Sequence, residues 1–431
     1  MPIFKKVRGM RDFLPEQARM MEYIEGKARR VAEIYGYKEI ITPVMEPHEL
    51  LAAKAGEEVR LRMYAFKDLG GRRVALRPEF TPSVARLVAT TLRNEPRPLK
   101  LFCLGSLYRY DEPQRGRFRE FWQSNFELIG SDKPEADAEI IMLTNSLMKC
   151  AGLKNYTFKV GHVGVIRGIL SQENLEEKTQ NAVMQLMDTM RYEDAFKLVE
   201  DAGASEGGVS TLRKLVELKG GEVFETVGKI KECVKGYGLA VDAAENFYEI
   251  LKLVLESGCR IDVAVDAGFA RGLEYYTGII FEVDAPELDK ALAGGGRYNK
   301  LIELFGGELT PAVGVAHGID RMMLVMQKQK TPLKKEGENR VMVIPTKEEL
   351  MGKALEISQM LREADIPVEV EVMRRKVTKA LEDADRRRMD YAIIVGEREL
   401  KEGAVVLRNL TKREQETVRI GKIVETIKGQ A

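Results

Sequence analysis

The stretch LGSLYRYDEPQRGRFREFWQSNFELIG, Leu104 to Gly130, contains two apolar and aromatic runs on either side of a charged loop. Runs of strand-like composition that flank a short polar segment predict a β-hairpin. Its loop region mixes cations and carboxylates: Arg109, Asp111, Glu112, Arg115, Arg117, Arg119 and Glu120. Guanidinium forks bind phosphate oxygens and aromatic rings stack on bases, so the hairpin is a candidate nucleotide or RNA site. A solvated hairpin with mixed charges explains this stretch alone equally well.

Upstream of the hairpin, the sequence predicts one long helix and several strands. Apolar residues recur at helical spacing from Pro15 to Tyr35, and Gly36 suits the end of that helix. The segment 37–47, YKEIITPVMEP, has strand composition, and its proline is tolerated at a sheet edge or where the pairing stops. Such a strand is free to lie against another subunit. Residues 63–77 predict a strand, a Gly70-Gly71 turn and a second strand.

Downstream, the pattern changes from strands to helices and back again. A helix is predicted at 136–152 and a strand at 155–166, and residues from about 175 to 255 form a helical insertion domain. Short strands resume at Arg260, among them Arg271–Gly278, followed by a glycine turn at Gly294–Gly296 and a helix that begins within 314–321. Residues 1–326 are thus predicted to form an α+β domain, an antiparallel sheet flanked by helices.

The C-terminal part is predicted to be a separate domain. Residues 327–339 are polar and contain Pro and Gly, as a linker does. Residues 340–431 then alternate as β-α-β-α-β, which predicts a small α/β domain with a mostly parallel sheet. The basic clusters Arg374–Lys376 and Arg386–Arg388 suit either contact with RNA or a solvated helix face.

The totals limit the classes of protein that fit. A chain of 431 residues suggests two or three domains, and 68 basic against 67 acidic residues leave a net charge of +1. A polyanionic partner must therefore be met by local basic patches. The four cysteines form no CxxC pair, so we expect neither zinc nor disulfides. Without a signal sequence or a long apolar run, we expect a soluble cytoplasmic protein with no membrane partner.

Several short motifs outside the hairpin carry polar groups that suit a small ligand. Glu79 and Thr81 offer a carboxylate and a hydroxyl to an ammonium group, or simply cap the helix that follows. If Arg271–Gly278 is a strand, Tyr275 and Tyr276 point to opposite faces and only one of them enters a given pocket. The chain has no GxxxxGK[ST] phosphate loop. Its three histidines are far apart in sequence and indicate no catalytic triad.

Taken together and in this order, seven segments resemble the histidyl-tRNA synthetase family over essentially the whole chain. They are RGMRDFLP (8–15), YGYKEIITP (35–43), RPEFT (77–81), YRYDEPQRGRFREFWQ (108–123), ARGLEYYTG (270–278), GGGRYNKL (294–301) and GVAHGIDR (314–321). The motifs that contain TP, the hairpin arginine and the last arginine are shared by class II synthetases. RGLEYYTG and GGGRY are specific to the histidine family. Trp122 departs from the pattern, since bacterial members often have His there.

The resemblance implies a function, a class II catalytic fold and a role for each matching residue. The function is ATP-dependent attachment of histidine to tRNA(His) through a histidyl-adenylate, with Mg²⁺ and a homodimer formed through the TP motif. The C-terminal domain would bind the anticodon. The implied catalytic residues are Arg109 and Arg271; ATP-binding residues Arg109, Arg117, Phe121 and Arg321; histidine-binding residues Glu79, Thr81, Gln123, Glu127, Tyr276 and Tyr298; and tRNA acceptor-end residues Gln114 and Arg115.

The alternative is a paralogue that binds histidine as a regulatory subunit of ATP phosphoribosyltransferase. Such paralogues typically lose parts of the ATP site and lack the anticodon domain. This chain keeps Arg109, Arg271 and Arg321 and continues for about ninety residues beyond the linker. The enzyme is therefore the favoured interpretation.

Overall fold

The computed structural model describes residues 4–333 and 339–429. The chain divides into two compact units, one that ends at Pro332 and one that begins at Leu333. The predicted linker 327–339 lies partly outside the described residues, at 334–338. Its first residues, up to Gln329, belong to a helix that ends where Lys330 takes the left-handed conformation, because Gln and Lys are good helix formers and extend the last turn past Met326.

The strands described are β1 (Lys38–Glu39), β2 (Met45–Pro47), β3 (Ala65–Lys67), β4 (Arg73–Leu76), β5 (Leu99–Tyr108), β6 (Glu120–Ile129), β7 (Thr157–His162), β8 (Lys219–Gly220), β9 (Val263–Asp266), β10 (Ile279–Ala285), β11 (Leu288–Arg297), β12 (Ala312–Gly318), β13 (Val341–Pro345), β14 (Val368–Val370), β15 (Tyr391–Val395), β16 (Ala404–Asn409) and β17 (Glu414–Arg419).

The α-helices described are α1 (Pro15–Tyr35), α2 (His48–Ala52), α3 (Glu57–Leu61), α4 (Thr81–Thr90), α5 (Pro134–Cys150), α6 (Val163–Gln172), α7 (Glu177–Asp188), α8 (Tyr192–Asp201), α9 (Glu206–Glu217), α10 (Val223–Cys233), α11 (Gly238–Glu256), α12 (Leu301–Leu304), α13 (Ile319–Gln329), α14 (Met351–Glu363), α15 (Val377–Arg386), α16 (Glu397–Lys401) and α17 (Ile423–Gly429).

A mixed sheet of nine strands organises the first unit. Its order is β1-β5-β6-β12-β11-β10-β7-β9-β8. Along this order, every neighbouring pair from β5 through β6, β12, β11 and β10 to β7 is antiparallel, as predicted. The pairs β1–β5 and β7–β9 are parallel. The predicted hairpin is present as β5 and β6, in register from Leu99 opposite Ile129 to Tyr108 opposite Glu120. Its strand β6 pairs with β12, and its strand β5 pairs with the edge strand β1.

The first predicted helix is present with the predicted ends. Helix α1 begins at Pro15, where a missing N–H costs nothing, and Gly36 follows it in the left-handed conformation at φ 77°. The predicted strand at 37–47 was wrong as one element. It forms two short strands, β1 and β2, in different sheets, because Pro43 interrupts the backbone pairing between them.

The region 175–255 is mostly helical and contains α7 to α11. Its last helix, α11, packs against α5 and α6. The strand predicted at 155–166 ends earlier, at His162, and Val163 starts helix α6. The apolar residues after His162 recur at helical spacing, and Val163, Val165, Ile166 and Ile169 are buried.

Two predictions about glycine and tyrosine motifs were wrong. Residues 271–278 form no strand. Tyr275 and Tyr276 both line the same cavity, an arrangement that the alternation of side chains along a strand would prevent. Gly294–Gly296 is part of the long strand β11 and not a turn. A side chain at Gly295 would overlap the carbonyl of Gly314, and one at Gly296 would approach the carbonyl of Ile279 within 2.6 Å. These glycines serve close approach between strands.

Arg297, which ends the triple-glycine strand, is a structural anchor. It is buried and donates through Nε to Asp137 Oδ1 at 2.9 Å and through Nη2 to Asp137 Oδ2 at 2.9 Å. Burial raises the pKa of Asp137 to about 6, while the Arg297 guanidinium opposes that change. The pair fastens β11 to α5 immediately before Tyr298.

The second unit has a five-stranded sheet of order β14-β13-β15-β16-β17. Strand β13 pairs parallel with β14 and β15, whereas β15 with β16 and β16 with β17 pair antiparallel. The prediction of a mostly parallel sheet was therefore wrong, because the polar strand β17 went unrecognised and forms a hairpin with β16. In the basic clusters, Arg374 pairs with Glu348, Arg375 with Glu371 and Arg386 with Asp383.

Candidate active site

A cavity of about 820 Å³ opens in the first unit above strands β6, β11 and β12. Eleven residues predicted to bind small molecules line it, namely Glu79, Thr81, Arg109, Arg117, Phe121, Gln123, Glu127, Arg271, Tyr276, Tyr298 and Arg321. Gln114 and Arg115, predicted for the tRNA acceptor end, are exposed at the hairpin tip and are not among the lining residues. The structure thus brings together residues that are up to 242 positions apart, from Glu79 to Arg321.

Strand β6 supplies one wall of the cavity through its alternation. Gln123, Asn125 and Glu127 are two residues apart, so their side chains share a face of the sheet, and all three line the cavity. Ser124 faces the other way, where its hydroxyl lies 3.3 Å from Nδ1 of the buried His317. His317 also contacts the hydroxyl of Thr144 and does not line the cavity, so its position is that of a structural histidine.

Glu127 is a buried carboxylate surrounded by donors. Its Oε1 accepts from the Thr81 hydroxyl at 2.8 Å, and its Oε2 accepts from the Tyr298 hydroxyl at 2.6 Å. Burial raises the pKa of Glu127 to about 7, while the bonds from Tyr298 and Thr81 act in the opposite direction. A side chain at Gly314 would overlap Glu127 Oε2. That glycine of β12 therefore leaves the space that the carboxylate occupies.

Glu79 is the second buried carboxylate at this end of the cavity. Its Oε2 accepts from the Tyr275 hydroxyl at 2.9 Å, and its Oε1 has no hydrogen-bond partner among the described residues. Burial raises the pKa of Glu79, whereas Arg109 and Tyr275 lower it. A buried oxygen without a partner is costly. It is well suited to accept a hydrogen bond from an ammonium group.

The lining of the cavity also carries guanidinium groups, and this part of the lining is called the arginine end. Arg109, next to the end of β5, donates through Nε to the Pro78 carbonyl at 3.0 Å and lies 5.4 Å from the Phe121 ring centroid. Arg321, in the first turn of α13, donates to the carbonyls of Gly116 at 3.2 Å and Ala291 at 2.7 Å. Burial, together with Arg109 and Arg117, lowers the pKa of Arg321 to about 10. Neighbouring cations of this kind attract an anion.

Arg271 reaches the cavity from the segment between β9 and β10. It donates to Glu282 Oε1 at 2.9 Å, and its guanidinium lies 5.8 Å from the Tyr276 ring centroid. A side chain at Gly294 would overlap this guanidinium. The glycine-rich part of β11 is thus what gives Arg271 its space. The carboxylates of Glu282 and Asp284 line the same cavity.

The N-terminal segment before α1 holds the hairpin loop against α13. The Arg11 guanidinium stacks on the Phe118 ring at 3.2 Å and forms an ion pair with Asp320. The other oxygen of Asp320 accepts from the Trp122 backbone N–H at 2.7 Å. Phe13 packs edge-on against the Trp122 ring, with 5.4 Å between the ring centroids. Trp122 therefore belongs to this clasp of Arg11, Phe13, Phe118, Trp122 and Asp320.

Sequence reasoning missed four residues of the site. Asn125 carries a detectable signal, its period-two spacing from Gln123 and Glu127. Tyr275 was excluded by the wrong strand prediction. Glu282 and Asp320 are recognised only through the ion pairs they form in the structure, Glu282 with Arg271 and Asp320 with the distant Arg11.

Among the described residues, no helix is long and apolar enough to cross a membrane.

Residues 9–322 match the family model described as histidyl-tRNA synthetase, and residues 340–430 match that of an anticodon-binding domain. The histidine–tRNA ligase of Methanocaldococcus jannaschii is 41% identical over 98% of this chain and 99% of its own length.

Two solved structures extend the comparison. The apo histidyl-tRNA synthetase of S. aureus has a TM-score of 0.71 and 26% identity, covering 99% of this chain and 100% of its own. An ATP phosphoribosyltransferase regulatory subunit/histidyl-tRNA synthetase from Bacillus halodurans has a TM-score of 0.76 and 25% identity, covering 89% and 97%. Because a family model spans most of the chain and a relative exceeds 40% identity over nearly its full length, this protein belongs to the histidyl-tRNA synthetase family.

Proposed function

We propose that this protein is a class II aminoacyl-tRNA synthetase, a histidine–tRNA ligase that attaches histidine to tRNA(His) with consumption of ATP. One observation carries the proposal: a single cavity joins a buried carboxylate end to an arginine-rich end. The first end suits the ammonium and ring N–H groups of histidine, and the second suits phosphates. The family membership of the chain and of its relatives supports the same reaction.

Histidine would lie against β6 and β11. The free Oε1 of Glu79 would accept from the substrate's ammonium group, with Thr81 and Gln123 beside it. Glu127, Tyr276 and Tyr298 would read the imidazole ring. Because Tyr298 and Thr81 already fix the Glu127 carboxylate, a ring that offers no N–H to this end would leave buried polar groups unpaired, which costs orders of magnitude in rate.

ATP would occupy the arginine end. Arg109 and Arg271 would hold the α-phosphate from opposite sides, and Arg117 the outer phosphates. Phe121 and Arg321 would enclose the adenine ring, as an aromatic face and a guanidinium plane can. Mg²⁺ binds through phosphates and one or two carboxylates. Glu282 and Asp284 line the cavity and are residues of that type, so the site suits the metal, which would supply charge neutralisation.

The chemistry needs alignment and charge stabilisation more than a protein base. A carboxylate oxygen of histidine attacks the α-phosphorus in line, the bond to the bridging oxygen breaks, and pyrophosphate leaves with its electron pair. The terminal ribose hydroxyl of the tRNA then attacks the adenylate carbonyl, and AMP leaves. Arg109 and Arg271 would stabilise the charge that develops on the α-phosphate oxygens. This accounts for a cavity whose described lining contains no histidine.

The remaining assignments extend this proposal to the whole chain. We assign residues 1–326 to catalysis, with an insertion at about 175–255, residues 327–339 to a linker, and residues 340–431 to anticodon binding, in line with the family match at 340–430. Gln114 and Arg115 would meet the acceptor end of the tRNA. The TP motif near Pro43 would form a homodimer interface, where Ile41 is 92% exposed. The reaction would take place in the cytoplasm.

Pyrophosphate exchange tests the proposal. Protein given ATP, Mg²⁺, labelled pyrophosphate and histidine should form labelled ATP, whereas histidine omitted or replaced by phenylalanine should give none. Charging of tRNA(His) transcript should follow. The name of the Bacillus halodurans neighbour keeps a histidine-binding regulatory subunit as the second candidate. Histidine binding without exchange would favour that candidate and contradict the proposed function.

A further inference from the structure

Asn125 is the one residue on the cavity face of β6, between Gln123 and Glu127, to which the matching motifs assign no role. It is 2% exposed and lines the cavity. Its Oδ1 is buried and has no hydrogen-bond partner among the described residues. A buried amide oxygen without a hydrogen-bond donor costs free energy and calls for an explanation.

The orientation of the amide follows from its neighbour. The Asn125 Nδ2 lies 3.5 Å from Glu127 Oε1, an oxygen that already accepts from Thr81. When Glu127 is ionised its carboxylate only accepts, and the amide nitrogen then faces it. Among the described residues, the amide oxygen is thereby left as a second open acceptor in the lining of the cavity, in addition to Oε1 of Glu79.

Asn145 shows what a structural asparagine looks like in the same unit. It is 1% exposed. Its Nδ2 donates to the Arg260 carbonyl at 3.2 Å, and its Oδ1 accepts from the Tyr156 hydroxyl at 2.8 Å. Both ends of that amide are used by the fold, and Asn145 does not line the cavity. Asn125, equally buried, leaves its acceptor unused.

We propose that Asn125 binds the amino-acid substrate directly, its Oδ1 accepting a hydrogen bond from an N–H of the bound histidine. The inference rests on the proposed function and adds a residue to it. An N–H donor at this position comes from the imidazole ring, beside Glu127, or from the ammonium group, beside Thr81. Either donor satisfies the buried oxygen, and an amino acid without a donor there leaves it unpaired, so Asn125 adds to specificity.

Titration calorimetry of the full-length protein with L-histidine tests the inference. Asn125→Ala should weaken histidine binding by about ten- to a hundredfold, the usual effect of removing one partner of a buried hydrogen bond. Asn145→Ala is the matched control and should lower the melting temperature while leaving histidine affinity unchanged. The KM for ATP in pyrophosphate exchange should stay within about twofold in Asn125→Ala, because the amide lies at the carboxylate end.

A second ligand locates the donor. Imidazole-propionic acid keeps the ring and the carboxylate and has hydrogen in place of the ammonium group, so it offers no donor there. If Asn125→Ala weakens both ligands alike, the ring N–H is the donor; if it weakens histidine alone, the ammonium group is. Both results support direct contact.

Other results overturn the inference. Histidine affinity equal to the wild type in Asn125→Ala would do so, as would equal losses for histidine and ATP, which indicate a disturbed fold. These outcomes are separate from failure of the proposed function, which is a wild-type protein that shows no histidine-dependent exchange.

Discussion

The two ends of the cavity differ in how completely the protein has paired its own charges. At the carboxylate end, hydroxyl groups already hold Glu79 and Glu127 in position. At the arginine end, guanidinium groups face one another and mostly donate to backbone carbonyls. Among the described residues, only one of the four arginines at this end forms an ion pair: Arg271, which pairs with Glu282. The other three are Arg109, Arg117 and Arg321.

This difference suggests two modes of recognition. A carboxylate fixed by donors is preorganised, and it rejects a wrong ligand because its hydrogen bonds cannot be replaced. Clustered guanidinium groups gain most when an anion arrives and charge develops on it. Changes at the arginine end should therefore mainly affect the rate of adenylate formation, and changes at the carboxylate end the recognition of histidine.

The largest effect is expected for Arg271→Ala. Loss of a group that stabilises charge in the transition state should lower the rate of adenylate formation by about 100- to 1000-fold. Histidine affinity should change by less than about threefold, since the carboxylate end is intact. Single-turnover formation of the adenylate, with calorimetry for histidine, measures both.

Arg93→Ala is the control for that variant, because Arg93 is an exposed arginine whose one ion pair within the described part of the chain is with Glu308 at 3.5 Å. It should leave both quantities unchanged. Equal losses of rate and histidine affinity in Arg271→Ala would remove the distinction between the two ends.

An intermediate effect is expected for Tyr298→Phe. The lost hydroxyl leaves Glu127 Oε2 without its 2.6 Å donor, and the pKa of Glu127, about 7 in the wild type because of burial, should rise further. In the proposed function ionised Glu127 accepts from the ring, so kcat/KM for histidine should fall as pH drops through this pKa. The acidic limb should therefore move to higher pH, with a loss of about tenfold near neutral pH.

Pyrophosphate exchange at a series of pH values gives the two profiles. Free histidine titrates identically in the wild-type and Tyr298→Phe experiments, so its effect on kcat/KM cancels when the two pH profiles are compared. An unmoved acidic limb would show that Glu127 does not control recognition of the ring.

The smallest effect is expected for Arg11→Met, which breaks the clasp on the hairpin loop. Without the stack on Phe118 and the ion pair with Asp320, the loop that carries Arg117 should be held less firmly. The KM for ATP should rise about three- to tenfold, the effect of about 1 kcal/mol, with the KM for histidine unchanged. Steady-state exchange kinetics measure both constants.

Arg8→Met provides the comparison on the same loop, because Arg8 forms an exposed ion pair with Glu112. Such pairs contribute little, so no change in KM is expected. If both variants behave alike, the buried clasp has no special role in positioning the loop.

The sequence predicts best where the signal is local. The β5–β6 hairpin follows from two strand-like runs around a charged loop, and α1 follows from its spacing and from Gly36. The motif around Tyr275 and Tyr276 was misassigned as a strand because its conformation is set by distant partners, among them Glu79. Gly294–Gly296 was misassigned as a turn because crowding by Gly314 and Ile279 is a property of the assembled sheet.

The predicted site residues have a different origin. Eleven of them line one cavity, yet they were identified through resemblance to a family, since each motif alone also had a structural explanation. Asn125 and Glu282 lay outside that resemblance. They are recognised only from an unpaired atom and from an ion pair, which are three-dimensional facts.

The glycine strand within β11 has a consequence for folding. Three consecutive glycines have little intrinsic preference for a strand, so this segment depends on β10 and β12, which pair with it on both sides. We expect its amides to exchange with solvent only when both neighbours open, at a rate close to that of global unfolding. Native-state hydrogen exchange would measure this. On this view, the space for Arg271 persists until the sheet itself unfolds.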